Sequence, residues 1–489
     1  MKLKNLASPW CELNPGVWAR ECIGEEQTTS YCQNIRDGHS ELTVDVPFTS
    51  NIESQEELIQ RTKNAWLMCH SRMPECATEI STGTELPQIL TYRMLQSDSE
   101  AASWLQESFR VVIGKTVDEV ARYTYNRRLT TQGKRSMLFL VIDPTADAQR
   151  RHNLIYNVSH VVSDAFSIPA LFNEVFRQMT LVPASCIIPV SAIDYSGVVE
   201  RLPVHPSHLY EAKFQPTNAE RGQAVADVLA QEQVVGTHIS ESIALYTEPN
   251  AEAREHETHC FNVYFSDVET QKLLSDLRRE NISITFAATA ATLLAVKKMY
   301  SRGHETGALV GMTRNARRWV ETGQFCPSAS SVVFLWIPFE EQWFEGSTKH
   351  AVLHLARAIK AKLLVHLQSP HYLSMLCVSS ASLRAVNGMA EATVAEAEAQ
   401  PCVPGFSSQG AVGLQRQFDF DGTSVTAHDI RHTGRQISDS PWVGMLSIFG
   451  RITLSLGFDS KYHCPEKMSK FLAYVQENLT SAGSLDAKL

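Results

Sequence analysis

The chain has 489 residues, 44% hydrophobic and 20% charged, an ordinary globular composition with room for two domains or one two-lobed unit. A formal net charge of −9 argues against a nucleic-acid binder, which presents a basic field. No apolar run approaches the roughly 18 to 20 residues that span a bilayer. The N-terminal stretch lacks the apolar core of a secretory signal, and the 11 cysteines show no CxxC spacing, so a cytoplasmic protein with reduced thiols is expected.

Along the chain, 55–71 is helix-like, and 90–95 and 137–142 read as strands. A further apolar strand at 154–158 follows a polar loop, so it and 137–142 are expected to form a hairpin. An antiparallel pair there favours an α+β lobe over a doubly wound parallel sheet. The chain then turns through Ser159-His160-Val161-Val162-Ser163-Asp164. From Ile168 the apolar positions 168, 171, 172, 175, 176 and 179 line one face of a helix.

His160 draws attention because a histidine at a strand-to-helix corner stands on rigid backbone and can face a cleft. Neutral imidazole is also the side chain best matched to removing a proton near pH 7. A purely structural histidine fits the same position, and Asp164 fits equally well as a cap for the following helix.

Residues 215–253 are polar and poor in strand signals, and read as a crossover between halves. The second half opens with a strand at 261–266 and helices at 268–279 and 285–300, the latter rich in small residues suited to packing on a sheet. A strand at 309–313 leads into Arg314, Arg317 and Arg318, and 330–337 is another strand. A helix at 350–367, adjacent strands at 443–448 and 451–458 around Gly450, and a helix opened by Pro465 complete the chain. The expected division is a first lobe at 1–220, a crossover at 221–258 and a second lobe at 259–489. The sequons at Asn157, Asn281 and Asn478 read as chance matches, the first lying in a strand expected to be buried.

His350 with His354 and His428 with His432 have the i, i+4 spacing that seats a metal on a helix. Neither has an HExxH glutamate or a nearby third ligand, so no metal is expected. The chain has no GxSxG elbow, no Walker A loop and no GxGxxG after a strand, which weighs against α/β-hydrolase, NTPase and Rossmann chemistry.

His160-Val-Val-Ser-Asp164 resembles the HxxxD signature of the chloramphenicol acetyltransferase-like superfamily, which includes BAHD acyltransferases, peptide-synthetase condensation domains and fungal trichothecene O-acetyltransferases. Two positions depart from common patterns. Ser159 stands where condensation domains usually carry a second histidine, and Ala165 stands where most members have glycine. Phe406-Ser407-Ser408-Gln409-Gly410 is similar to a polar segment ending in glycine that lies across the channel from the histidine in that group. Residues 419–422 are not the DFGWG loop of BAHD enzymes. With LTYRMLQSDSEAASWLQESF around Trp104, this makes the trichothecene 15-O-acetyltransferase-like branch the nearer resemblance.

The resemblance implies two lobes, each a mixed sheet flanked by helices, with an active-site channel between them. His160 would be the general base. Asp164 would fix the corner through an arginine, with Arg317 the first choice and Arg314 the second. Ser407 or Ser408 would donate to the oxyanion, although a simple polar turn explains either serine alone. The donor would be acyl-CoA, most simply acetyl-CoA, and no cofactor would be held permanently. The acceptor would be a small-molecule alcohol such as a fungal terpenoid or another secondary metabolite, and a chain carrying both halves would work as a monomer. Two rivals remain: a repurposed condensation-type fold (carrier-protein thioester transfer, amide formation or cyclisation) and a non-catalytic binding protein.

Overall fold

The hairpin expected around residue 150 forms, with Met137–Ile142 antiparallel to His152–Val158 and Leu140 opposite Leu154. The computed structural model describes residues 9–83, 87–147, 151–182, 184–315, 317, 330–368 and 401–483. Both strands of the hairpin are buried almost throughout, as their continuous apolar runs require.

They lie in a seven-stranded mixed sheet ordered Gln417–Phe420, Thr423–Ala427, Leu42–Ser50, His152–Val158, Met137–Ile142 and Phe109–Ile113, with Arg431–Gly434 also paired to Leu42–Ser50. Only the Phe109–Ile113 strand pairs in parallel. Helices Gln55–Arg72 and Ile168–Leu181 supply the aromatic layer beneath the His160 strand. Trp66 stacks on Trp104 with ring centroids 5.5 Å apart, and Tyr156 meets Trp66 and Phe172 edge-on. Such contacts contribute beyond the area they bury.

The second seven-stranded sheet runs Thr258–Tyr264, Arg451–Asp459, Trp442–Ile448, Gly405–Ala411, Gly307–Asn315 and Ser330–Pro338, with Ser242–Ile243 paired to Gly307–Asn315. Gly405–Ala411 is parallel to both its neighbours, so this sheet is mixed too. The strands expected around Gly450 form a hairpin whose two turn residues, Phe449 (φ 48°) and Gly450 (φ 87°), are both left-handed. That is the backbone a two-residue hairpin turn needs to match strand twist. The small-residue helix Ile284–Tyr300 packs into the core of this unit with Thr348–Gln368 and Pro465–Ala482. The architecture is α+β: mixed sheets flanked by helices.

The chain forms two compact units that interleave in sequence. Met1–Gln215, Ala316–Ala329 and Gly413–Arg435 make one; Pro216–Asn315, Ser330–Val412 and Gln436–Leu489 make the other. The contiguous lobes expected at 1–220 and 259–489 differ from this, because two later segments join the first unit. The reason is visible in the second of them. Three of its strands complete the first unit's sheet, and Arg431 reaches Asp45 at 2.9 Å and Asp118 at 2.7 Å.

The expected crossover also differs. It holds a 21-residue helix, Asn218–His238, opened by a capping box in which Thr217 and Glu220 satisfy each other's backbone N–H. Asn157 is buried in its strand, donating to Thr43 Oγ1 at 3.2 Å.

Candidate active site

Where Val158 ends its strand, Ser159 closes the chain into a turn. Its carbonyl accepts from Val162 N (3.3 Å) and its hydroxyl oxygen from Val161 N (3.2 Å). The same hydroxyl donates to Gln33 Oε1 at 2.6 Å. Val161 and Val162 point into the core. From Asn153 to Asp164, His160 is the one side chain that is not buried. A corner with a buried residue on either side of a half-buried imidazole presents that ring on a fixed backbone.

Asp164, 1% exposed, combines both of the readings its position allows. Its Oδ1 accepts from the backbone N–H of Phe166 (3.0 Å) and Ser167 (3.2 Å), an Asx turn leading into the helix Ile168–Leu181. Its two oxygens also accept from Arg317 Nη1 and Nη2, each at 2.9 Å. A planar guanidinium forked onto a carboxylate is both strong and directional, and it compensates the cost of burying the charge. The Arg317 guanidinium further lies 5.8 Å from the Phe166 ring centre. Asp164 therefore points at the arginine and at the backbone that carries the corner. Ala165 has no left-handed backbone, so alanine stands there without strain in place of glycine.

Arg314 lies in the strand Gly307–Asn315, opposite Ser331, with its guanidinium buried. The fork on Asp164 is Arg317's, although both lay within reach of the pattern. Arg318 falls outside the described residues.

Ser407 and Ser408 belong to the other unit and sit in a strand, Gly405–Ala411, rather than a turn. Ser407 Oγ accepts from Thr313 Oγ1 at 3.1 Å, on the neighbouring strand. Ser408 Oγ shares a hydrogen bond of 2.9 Å with Thr285 Oγ1, in the first turn of the helix Ile284–Tyr300. Past Ser408 the register slips by one residue at Gln409, and Gly410 (φ 64°) takes the left-handed backbone the bulge uses. Both serines are half-buried hydroxyls on fixed backbone.

The histidine pairs separate. His350 and His354 do share a helix face, with ring centres 4.2 Å apart. His428 and His432 are not on a helix: His428 pairs with Thr49 Oγ1 at 2.9 Å, and His432 is half-buried in a strand with its Nε2 shut away from solvent, so that desolvation pushes its imidazole down to about 3. Among the described residues no group of three His, Cys, Asp or Glu side chains is placed to hold a metal.

The chain is 32% identical to the acyl-CoA-dependent acyltransferase MAC1 of Pseudozyma antarctica (strain T-34), over 96% of this chain and 94% of that one. The chain belongs to the acyl-CoA-dependent acyltransferases. The MAC1 protein of Mycosarcoma maydis is likewise 32% identical, over 95% of this chain and 87% of the relative. Among solved structures, the TRI3 trichothecene 15-O-acetyltransferase from Fusarium sporotrichioides aligns over 99% of this acyltransferase and all of its own chain, with a TM-score of 0.77 at 17% identity. The starter condensation domain of rhizomide synthetase aligns with a TM-score of 0.58 at 14% identity, over 94% of each chain. These neighbours share its chloramphenicol acetyltransferase-like fold. No protein-family model matches the chain.

This acyltransferase uses acyl-CoA as its acyl donor. Among the described residues, no single helix is long and apolar enough to cross a membrane.

Proposed function

We propose that the acceptor group is a hydroxyl and that His160 is the general base which activates it. The carrying observation is the corner itself. His160 alone stays outside the core, while Asp164 is committed to Arg317 and the backbone. In this reading the imidazole removes the hydroxyl proton as the oxygen attacks the thioester carbonyl. The resulting tetrahedral oxyanion accepts a hydrogen bond from Ser407 or Ser408, and the C–S bond then breaks. CoA leaves as the thiol after taking the proton from the imidazolium, so the base returns to its starting state and no covalent protein intermediate is needed. Asp164 and Arg317 act by holding the corner.

The donor is taken to be acetyl-CoA. The acceptor is taken to be an alcohol of secondary metabolism, such as a terpenoid, on the likeness to the trichothecene acetyltransferase. The nine described cysteines are all free thiols, which supports a cytoplasmic setting, and two units in one chain support a working monomer.

The test is CoA release from acetyl-CoA with a panel of terpenoid and polyketide alcohols, wild type beside His160→Ala. General-base assistance is worth about 10²–10⁴-fold, so the variant is expected to lose that much in kcat while keeping its melting temperature. A variant that turns over like wild type would remove His160 from the chemistry.

A further inference from the structure

His160 is held from two sides, and only one of them belongs to the HxxxD pattern. On the far side stands the Asp164–Arg317 fork. On the near side stands Ser159, 2% exposed, whose hydroxyl donates to Gln33 Oε1 (2.6 Å) and accepts from Val161 N (3.2 Å). The second bond fixes the peptide that follows His160. The first fixes the hydroxyl that makes it.

Gln33 is itself buried, near the end of the helix Glu25–Ile35, and its carbonyl accepts from Gly38 N at 2.8 Å. The loop at 36–40 then runs into Leu42–Ser50, where Leu42 pairs with Val158, the last residue of the His160 strand. Helix, loop, strand and corner thus form one closed loop of contacts: the Ser159–Gln33 hydrogen bond ties the corner to the helix, and Asn157 ties the His160 strand to the next one by donating to Leu42 O (3.0 Å) and Thr43 Oγ1 (3.2 Å).

We propose that Ser159, anchored by Gln33, is a positioning residue for the general base: it sets the peptide planes on either side of His160 and so aims the imidazole. This rests on the reading of His160 as base. A hydroxyl is needed because one atom must both donate to the carboxamide and accept from the backbone, which alanine cannot do. Both partners lie in the interior, where a hydrogen bond is electrostatically strong and a lost one leaves a polar group without compensation. Reorienting a base by a fraction of an ångström changes its reach to the acceptor proton without changing how either substrate binds.

The experiment compares Ser159→Ala, Ser159→Thr, Gln33→Met and the Ser159→Ala/Gln33→Met double variant, with His160→Ala as control. CoA release from acetyl-CoA with the alcohol panel gives kcat and KM, and thermal denaturation gives stability. Ser159→Ala and Gln33→Met are each expected to lower kcat about 10- to 100-fold, with KM for acetyl-CoA changed less than about twofold. Ser159→Thr keeps the hydroxyl and restores most of the rate. The double variant is no slower than the worse single one, because both remove the same link.

Carbethoxylation of His160 by diethyl pyrocarbonate, followed by mass spectrometry, gives a readout independent of turnover. It is expected to run several-fold faster in Ser159→Ala and Gln33→Met, whose corners are less constrained. If His160→Ala retains wild-type CoA release, the general-base reading fails, and the carbethoxylation rates still decide whether Ser159 fixes the ring. If His160→Ala is inactive while Ser159→Ala and Gln33→Met keep wild-type kcat and carbethoxylation rate, the positioning role is overturned. Losses that add in the double variant, or that appear as lower melting temperature with unchanged kcat, overturn it as well.

Discussion

The corner at 159–164 and the strand Gly405–Ala411 both present polar side chains on fixed backbone, yet they are built in opposite ways. In the corner five of six side chains are buried, and Ser159, Ser163 and Asp164 spend their polar atoms on the protein itself. One group, His160, is left half-exposed. In the strand, Ser407, Ser408, Gln409 and Gly410 are all half-buried, and each serine leans on one threonine. The corner is a frame for a single functional group; the strand is a row of similar hydroxyls. A change in the corner should therefore reach the backbone, whereas a change in the strand should stay in the side chain.

Alanine at the two serines tests this contrast most strongly. Ser407 accepts from Thr313 and keeps its own proton to donate, so Ser407→Ala is expected to lose about 10²-fold in kcat, the usual scale for one oxyanion donor. Ser408 can spend its proton on Thr285, and Ser408→Ala is expected to lose less. Neither should move the melting temperature by much. Equal and small losses in both variants would take this strand out of the mechanism.

Substitution of Arg317 tests the corner by the opposite route. Arg317→Ala strands a buried carboxylate, a defect that costs 3–5 kcal/mol for fully buried pairs. The arginine side chain is 25% exposed, so solvent screening reduces the expected loss to about 1–3 kcal/mol. Arg317→Lys keeps the charge but not the fork, and should fall between wild type and alanine. Denaturant titration of the three proteins, with Asp164→Asn/Arg317→Ala alongside, measures the pair. If the double variant is no more stable than Arg317→Ala, the stranded charge is not the source of the defect.

The same contrast explains what could be read from the sequence. The corner was legible because a frame of this kind needs particular residues at fixed spacing: a strand, a histidine, and an aspartate four residues later. Ser407 and Ser408 were legible only as small polar residues, since a bulged strand and a turn draw on the same composition. The helix Asn218–His238 was missed because it alternates polar and small residues without a clear apolar face, although Thr217-x-x-Glu220 was a usable start signal. The exchange of segments 316–329 and 413–435 was beyond reach for a different reason. It depends on pairings such as Arg431 with Asp45, 386 residues apart, and nothing local in either segment encodes them. Arg317 was separable from Arg314 only in three dimensions, because the two are three residues apart and carry the same group.

The smallest effect on turnover is expected from the floor beneath the corner. Glu75, in the short turn Pro74–Ala77, is 2% exposed and lies near Cys69, Cys76 and Tyr156, the last of these on the His160 strand. Its Oε2 accepts no hydrogen bond among the described residues, and burial pushes its carboxyl up to about 8. A carboxyl raised in the folded state stabilises the fold fully below its ordinary value of 4.5, and that contribution is lost as pH rises through about 8. Glu75→Gln, a neutral isostere, removes the titration. It should match wild type in kcat and in stability at pH 4, and exceed it in stability at pH 9. Denaturant midpoints at the two pH values decide the matter. A difference between the proteins that does not grow with pH would mean that Glu75 is already ionised in the fold. The layer beneath the corner would then need a cationic partner for it.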